Sequence, residues 1–274
     1  MNSCKIKLAA LDLDGTLLTT ENRISAASAV ALHQLMDMGI TVALATGRHF
    51  RTASGYTEEL GLNGPIICYN GAVVRRVGVN KPDFASYLDD DVIYELVDFT
   101  RQRGLYLQLY DEQDRLLVER ITSETRADPD FLTTDTVEAG DLKKVLHFRS
   151  PKMMIYNHTP DVITSLIPEL QEMWKGRLHV VRSNPNLVEM LNPGIDKRWA
   201  LIKIAEQLGL RADQIIAFGD SDNDAEMLAW SGFGCAVSNA TPLAKGAADF
   251  ICTEEREFGI REALDHFVFQ TAAV

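Results

Sequence analysis

Basic residues and long apolar runs are scarce in this sequence. Its 274 residues include 27 lysines and arginines against 39 aspartates and glutamates, which gives a formal net charge of −12. Such a surface repels a phosphate backbone, and this argues against nucleic acid as a partner. No stretch approaches the roughly 18 consecutive apolar residues that a membrane-spanning helix needs, so the sequence also predicts no membrane partner.

The opening residues lack the pattern of a secretory signal. The apolar run that starts at Leu8 is interrupted at once by Asp12 and Asp14. A signal requires an uninterrupted apolar stretch followed by a cleavage site of small residues. The sequence therefore predicts a cytoplasmic protein.

Cysteine is also scarce, and its spacing excludes the common metal and redox motifs. The chain has four cysteines, and no two of them form a C-x-x-C pair. Three of them lie in apolar runs of β-strand character, where cysteine behaves as a small buried hydrophobe. The four residues are Cys4, Cys68, Cys235 and Cys252.

The two ends of the chain share a pattern of short apolar strands separated by helices. Apolar residues make up 46% of the sequence and charged residues 24%, as in ordinary globular proteins. Buried strands that alternate with helices are typical of parallel β-α-β units. The predicted strands are Ile6–Leu11, 40–45, 66–69, 215–218, 235–237 and 250–252, and a predicted helix spans Lys197–Leu208.

The middle of the chain has a different pattern. From about Phe84 to Asn186, strands with alternating polar residues accompany two helices, which indicates an antiparallel sheet with one exposed face. The sequence therefore predicts an α/β fold. A Rossmann-like parallel-sheet core domain, formed by residues 1–83 and 187–274, is interrupted by an inserted α+β cap domain at residues 84–186.

Carboxylates cluster at the predicted carboxyl ends of two strands of the core domain. Asp12 and Asp14 follow the first strand, and Asp220 follows a later one. Sites in open parallel sheets form at these strand ends. Clustered carboxylates repel one another unless a cation neutralises them, and an all-oxygen ligand set suits Mg²⁺.

Two further segments could hold an anion. Thr46-Gly47 ends a predicted strand and opens a helix, where a hydroxyl and free N–H groups favour phosphate. Lys197 begins a helix, the end at which the helix dipole disfavours a cation. Each feature alone has a structural explanation, since Asp-Gly forms turns, threonine caps helices and lysine is usually solvated. Together they favour a phosphate site.

In this order the segments resemble the motifs of the haloacid dehalogenase-like hydrolase superfamily. The long insertion, with Asn70-Gly71 before it, resembles the Cof-type branch with a type IIB cap. The segments that carry the resemblance are Asp12-Leu13-Asp14-Gly15-Thr16, Thr46-Gly47, Lys197 and Gly219-Asp220-Ser221-Asp222-Asn223-Asp224.

The resemblance implies a Mg²⁺-dependent phosphatase that acts on small phosphorylated metabolites, such as sugar phosphates or cofactor precursors. Asp12 would attack phosphorus, Asp14 would act as acid and then base, and Asp12, the Asp14 carbonyl and Asp220 would hold the metal. Asp224 and Ser221 would support the metal and lysine. The expected phosphate-binding residues are Leu13, Thr46, Gly47, Lys197 and Asn223.

Alternatives remain open at this point. A phosphomutase of the phosphomannomutase type shares the cap, and a phosphoaspartate signalling module shares the acidic cluster, threonine and lysine. A catalytically silent binding protein fits less well because both Asp12 and Asp14 are intact. Arg198 stands where the branch usually has glycine, and it could narrow or charge the cleft. The sequence indicates neither the substrate nor an oligomeric state.

Overall fold

The computed structural model describes residues 5–127, 131, 134–145 and 149–269, so Cys4 lies outside the described residues. The chain divides into two compact units. The first comprises Met1–Gly47, Ala53–Phe84 and Asp196–Val274, and the second comprises Arg48–Thr52 and Ala85–Ile195.

The strands and helices follow one another in a regular order. In chain order the strands are β1 (Leu8–Leu11), β2 (Thr41–Ala45), β3 (Ile66–Cys68), β4 (Val73–Arg75), β5 (Phe84–Ala85), β6 (Tyr106–Tyr110), β7 (Leu116–Val118), β8 (Thr136–Glu138), β9 (Met153–Tyr156), β10 (His179–Asn184), β11 (Leu187–Leu191), β12 (Ile215–Gly219), β13 (Phe233–Ala236) and β14 (Phe250–Ile251). The helices are α1 (Ala26–Asp37), α2 (Phe50–Leu60), α3 (Asp90–Arg103), α4 (Ser123–Ala127), α5 (Leu142–Val145), α6 (Pro160–Met173), α7 (Lys197–Leu208), α8 (Ala225–Trp230), α9 (Pro242–Ala247) and α10 (Arg256–Leu264).

An eight-stranded sheet in the order β14-β13-β12-β1-β2-β3-β4-β5 forms the centre of the first unit. From β14 to β3 neighbouring strands run parallel, whereas β4 pairs antiparallel with β3. All four residues of β1 are buried, as expected for a central strand covered on both faces. The predicted α/β fold with a parallel core sheet is confirmed.

A six-stranded sheet in the order β10-β11-β9-β6-β7-β8 organises the second unit. Helices α3 and α6 contribute Leu96 and Leu170 to one apolar core, which also contains Leu109 and Ile155 of the sheet. Most of the strand pairs are antiparallel, as the alternating sequence pattern predicted, but β6 and β11 are buried along nearly their whole length and lack the expected exposed face. The pair β7–β8 is parallel and departs from that expectation.

The inserted unit ends later in the chain than the sequence predicts. The predicted boundary lies between residues 186 and 187. Strand β11 pairs antiparallel with both β9 and β10, so the inserted unit extends to Ile195. The sequence of β11 is largely apolar, which resembles a buried parallel strand. Its one charged residue, Glu189, is buried in an ion pair with Lys152 at 2.5 Å, so the strand lacks an exposed face.

Local signals explain where α7 begins and ends. The Asp196 carboxylate accepts a hydrogen bond from the Trp199 N–H at 2.6 Å, as an N-cap residue does. Gly209 follows the last turn with a φ of 67°. This capping places Lys197 in the first turn of the helix. Among the described residues, no helix has the length and apolar character required to cross a membrane.

Candidate active site

Three adjacent parallel strands of the first unit end at one edge of the sheet. Asp12 directly follows β1, Thr46 follows β2, and Asp220 follows β12. Because β12, β1 and β2 are neighbours, the topology brings these residues together. Carboxylate oxygens of Asp12, Asp220 and Asp224 lie within 4.8 Å of one another.

Lys197 lies inside this carboxylate cluster. Its side chain is 1% exposed, and its Nζ donates to Asp12 Oδ1 and to Asp224 Oδ1, each at 2.6 Å. Burial opposes the charge of the ammonium group, but the two carboxylates outweigh burial and raise the pKa of Lys197. The lysine therefore stays protonated, and the unfavourable end of the helix dipole is offset by two ion pairs.

The Asp12 carboxyl group lies in an environment that disfavours its ionised form. Burial raises the pKa of the Asp12 carboxyl well above its usual range, Lys197 opposes this effect, and neighbouring carboxylates reinforce it. Those carboxylates belong to Asp224, Asp220 and Asp14. A positive charge placed between the carboxylates would remove this repulsion.

Short contacts from two loops fix the Asp220 side chain. Thr16 Oγ1 donates to Asp220 Oδ1 at 2.7 Å, and Ser221 Oγ donates to Asp220 Oδ2 at 3.1 Å. Gly15 has a φ of +84°, and a Cβ there would lie 2.4 Å from Asp220 Oδ2. Only glycine lets the backbone approach the carboxylate this closely. Burial, followed by the charge of Asp224, raises the pKa of Asp220.

The donor set fits a divalent cation with oxygen ligands. When all three carboxylates of the cluster are ionised, the one ammonium group of Lys197 leaves two negative charges to be balanced. Asp224 already accepts from Lys197 through one oxygen, and from the N–H groups of Asp220 and Ser221 through the other. Asp12 and Asp220 are therefore the better candidates for metal ligands, and Asp224 supports the lysine and the loop.

The other residues of the first motif lie in the turn Leu13–Leu17 that follows Asp12. Leu13 is fully buried, whereas the Asp14 side chain is exposed and lies outside the three-carboxylate cluster. Asp14 adopts an extended backbone conformation inside this turn, with φ −78° and ψ 116°. The structure therefore places an exposed carboxyl group two residues from the buried Asp12.

The predicted phosphate-binding residues of the other loops also lie near one another. Thr46 is fully buried after β2, and its carbonyl accepts from the Asn70 N–H at 3.1 Å. The Asn223 Nδ2 donates to Asn70 Oδ1 at 2.9 Å. A Cβ on Gly47 would lie 2.9 Å from the same Asn70 oxygen. Asn70 thus touches two of the predicted phosphate loops.

Arg198, which stands where the resembled branch usually has glycine, lies in the first turn of α7. Its guanidinium donates to Asp196 Oδ2 at 3.1 Å and to Glu226 Oε2 at 3.0 Å. These contacts join the first turn of α7 to α8. The Arg198 charge is therefore engaged with two carboxylates of the first unit.

Sequence reasoning assigned no role to Thr16 or Asn70. Thr16 stood within the recognised first motif, and its hydroxyl bonds a carboxylate 204 positions away. Asn70 was noted only as part of the Asn70-Gly71 pair before the insertion, and its side chain bonds that of Asn223, 153 positions away. For both residues, the only local signal in the sequence is a small polar side chain next to a glycine of the site.

Comparison with known proteins identifies the family. A family model described as haloacid dehalogenase-like hydrolase matches residues 9–264. The chain belongs to this family. Within the haloacid dehalogenase-like hydrolases it falls in the Cof-type branch, as the motifs indicated.

Curated relatives cover nearly the same length. The 5-amino-6-(5-phospho-D-ribitylamino)uracil phosphatase of Bacillus subtilis is 30% identical over 95% of this chain and 97% of its own length. The HMP-PP phosphatase of Yersinia pseudotuberculosis is 31% identical over 87% of this chain and 86% of its own length. The predicted enzyme class, a phosphoric monoester hydrolase, is confirmed.

Solved structures of the family share the fold. A haloacid dehalogenase-like hydrolase from Bacteroides thetaiotaomicron has a TM-score of 0.84 and 27% identity, covering 95% of this chain and 99% of its own. A haloacid dehalogenase-like hydrolase from Bacillus subtilis has a TM-score of 0.85 at 21% identity, covering 96% of this chain and all of its own. The second match supports the fold alone.

Proposed function

We propose that this chain is a Mg²⁺-dependent phosphatase that hydrolyses small phosphorylated metabolites through phosphorylated Asp12. The observation that carries the proposal is the pairing of Asp12 with Lys197 inside an otherwise acidic cluster. Lys197 holds Asp12 Oδ1 at 2.6 Å, and no hydrogen bond from the described residues engages Oδ2. An oriented carboxylate with one uncommitted oxygen is what a nucleophile requires.

The proposed reaction has two displacement steps. In the first, an Asp12 oxygen bonds to phosphorus, the ester P–O bond breaks, and Asp14 gives a proton to the leaving oxygen. In the second, Asp14 takes a proton from water, the water oxygen bonds to phosphorus, and the Asp12–phosphorus bond breaks. Inorganic phosphate leaves, and both aspartates return to their starting states.

The remaining residues would stabilise the transferring group. Lys197 supplies a fixed positive charge, and Thr46, Gly47, Leu13 and Asn223 supply a hydroxyl, backbone N–H groups and a side-chain amide. Asp12 and Asp220, with the Asp14 carbonyl, would hold Mg²⁺. When bound, Mg²⁺ neutralises charge between the nucleophile and the phosphate and orients the in-line attack.

We assign substrate selection to the inserted unit and catalysis to the first unit. All the proposed catalytic, metal and phosphate residues belong to the first unit. Relatives named for substrates as different as HMP-PP and a phosphorylated ribitylaminouracil align with this chain over most of its length. A reaction common to the family with variable leaving groups fits separate units for chemistry and recognition. The cytoplasmic location stays a prediction from the sequence.

A substrate screen tests this function. The protein is incubated with a panel of phosphorylated metabolites, including HMP-PP and 5-amino-6-(5-phospho-D-ribitylamino)uracil, with Mg²⁺ or with EDTA. We expect release of inorganic phosphate that requires Mg²⁺, with kcat/KM values that rank the substrates. Isomerisation of a sugar phosphate that depends on a bisphosphate primer would instead identify a mutase, and a single slow turnover would identify a signalling module.

A further inference from the structure

Three consecutive residues between β3 and β4 have a left-handed backbone conformation. The φ angles are 51° for Tyr69, 52° for Asn70 and 105° for Gly71. Tyr69 and Asn70 are 1% and 2% exposed. Residues other than glycine rarely adopt this conformation, and it persists only where the surrounding structure imposes it. The contacts of this loop therefore indicate what it holds in place.

The centre of the loop contacts the Thr46-Gly47 segment and the Asn223 side chain. The Asn70 N–H donates to the Thr46 carbonyl at 3.1 Å. The Asn70 Oδ1 accepts from Asn223 Nδ2 at 2.9 Å and lies against the α-carbon of Gly47. One buried amide thus lies between two segments that reach the site from different strands.

The end of the loop contacts the start of α7. A Cβ on Gly71 would lie 2.0 Å from the Asp196 carbonyl oxygen and 3.1 Å from the Lys197 backbone nitrogen. The backbone of the loop therefore packs directly on the turn that carries Lys197. This packing requires glycine, because any side chain would collide with the helix.

We propose that Asn70 is a positioning residue that orients the Asn223 amide toward the phosphoryl group, an inference that rests on the proposed function. An asparagine amide has two orientations, which exchange its donor nitrogen and its acceptor oxygen. In the structure Asn70 presents its Oδ1 to Asn223, and an oxygen can only accept, so this arrangement requires Asn223 to present nitrogen. One N–H of Asn223 then binds Asn70, and the second remains for a phosphoryl oxygen. In the other orientation, an oxygen would face the negative phosphate.

The variant Asn70→Gly removes the amide and keeps the backbone. Glycine adopts positive φ without strain, so the loop and its contacts with Thr46 and α7 should persist. We expect kcat to fall about 10- to 100-fold, the usual effect of losing a group that orients a site residue. The thermal midpoint should change little. The matched control is Asn22→Gly, which replaces an exposed asparagine with a φ of 56° and should retain wild-type kcat.

A double-mutant cycle tests whether Asn70 acts through Asn223. The variants are Asn70→Gly, Asn223→Ala and the combination of both. We expect the double variant to lie within about threefold of Asn223→Ala in kcat, because Asn70 has no amide left to orient. Losses that multiply would overturn the proposal, as would an Asn70→Gly variant with wild-type kcat.

Binding of orthovanadate, measured by calorimetry, separates this inference from the proposed function. Vanadate imitates the transferring phosphoryl group, and its binding requires no turnover. We expect Asn70→Gly to weaken vanadate binding about tenfold or more, with little further loss when Asn223→Ala is added. If the substrate panel gives no phosphate but this pattern holds, the inference stands and the phosphatase proposal fails. If phosphate is released while Asn70→Gly binds vanadate as the wild type does, only the inference fails.

Discussion

At the scale of single residues, the site depends on a balance of buried charges around Asp12. Its carboxylate is nearly buried and lies among other carboxylates, and Lys197 provides the positive side chain at 2.6 Å. An amide in place of this carboxylate would have almost the same shape. Substitution by asparagine therefore separates the chemical role of Asp12 from its structural role.

We expect Asp12→Asn to reduce phosphate release to less than about 1% of wild type, because a neutral amide is a poor nucleophile toward phosphorus. The fold should persist, since the substitution relieves carboxylate repulsion at a position where burial opposes charge. Steady-state phosphate release and circular dichroism measure the two effects. A folded variant that keeps several per cent of activity would contradict the role assigned to Asp12.

At the scale of elements, the turn after β1 and the loop after β12 must approach each other closely. Gly15 lies where the two meet, and its α-carbon packs on the Asp220 carboxylate. Thr16 from the same turn bonds that carboxylate. The turn therefore sets the position of a proposed metal ligand that lies more than 200 residues away in sequence.

We expect Gly15→Ala to raise the Mg²⁺ concentration needed for half-maximal activity and to lower kcat/KM at least tenfold. The new Cβ would collide with Asp220 Oδ2 at 2.4 Å, and displacement of a ligand by about 1 Å can cost about 100-fold in rate. The control is Gly61→Ala, at a φ of +60° with no atom within 4 Å of the added Cβ. It should lose about 1 kcal/mol of stability and keep its Mg²⁺ requirement. An equal Mg²⁺ requirement in both variants would refute this account of Gly15.

In the second unit, the segment that precedes α2 carries a buried histidine. His49 is fully buried, its Nε2 lies 2.6 Å from Thr52 Oγ1 and 3.0 Å from Thr134 Oγ1, and its ring packs on Tyr110. Burial lowers the pKa of His49 to about 4. The charged groups that face it are Asp114, which opposes the shift, and Lys152, Arg51 and Arg48, which reinforce it.

We expect acid to destabilise the protein through His49. In the unfolded state His49 has a pKa near 6.5 and binds a proton below that pH. In the folded state its pKa is about 4, so it binds a proton only in more acidic solution. The contribution of neutral His49 to the free energy of unfolding is therefore fully present above pH 6.5. It is lost as the pH falls, by about 2 kcal/mol at pH 5. Denaturant unfolding at pH 7 and pH 5 should show this loss in wild type and in His33→Gln, but not in His49→Gln. Equal losses in all three proteins would exclude His49 as the cause.

At the scale of the whole molecule, the cluster of Asp12, Asp220 and Asp224 would link the proposed cation binding to stability. Burial and carboxylate repulsion raise the pKa values of Asp12 and Asp220. A folded protein whose carboxyl groups have raised pKa values loses stability as the pH rises above about 4, because those groups must then carry charge. A divalent cation bound as proposed would compensate for this loss.

We expect Mg²⁺ to stabilise the protein relative to EDTA at pH 7. At a concentration 100-fold above its dissociation constant, a ligand adds about 2.7 kcal/mol to the free energy of unfolding. In Asp220→Asn the Mg²⁺-dependent increase should disappear, while stability in EDTA should equal or exceed that of the wild type. Thermal unfolding at constant ionic strength measures both. An increase of wild-type size in Asp220→Asn would show that Mg²⁺ binds elsewhere.

The sequence predicts those parts of the site that follow from strand position. Asp12 and Asp220 could be located because the carboxyl ends of neighbouring parallel strands meet, and Lys197 because its charge opposes the helix dipole. Asn70 could not be found in this way. Its importance depends on a left-handed backbone and on a partner in a distant loop, and neither leaves a local pattern.

The fold was predictable to a similar extent and for similar reasons. Strands such as β2 and β12 were located closely because each is a short apolar run that is buried on both faces. Strand β11 was assigned to the first unit because its largely apolar sequence resembles a buried parallel strand, whereas it pairs antiparallel with β9 and β10, and its one charged residue, Glu189, is buried in an ion pair with Lys152. Neither the ion pair nor the pairing partner of an apolar strand can be read from a single segment.

The order of the first sheet has a consequence for how the enzyme is made. Strand β1 lies between β2, which follows it closely, and β12, which lies some 200 residues later. A nascent chain can therefore assemble one side of β1 early, but its other edge must wait until β12 has left the ribosome. Contacts so distant in sequence close slowly. During refolding, phosphate release should therefore recover only after β12 has paired with β1. This recovery should come later than the circular dichroism signal of secondary structure.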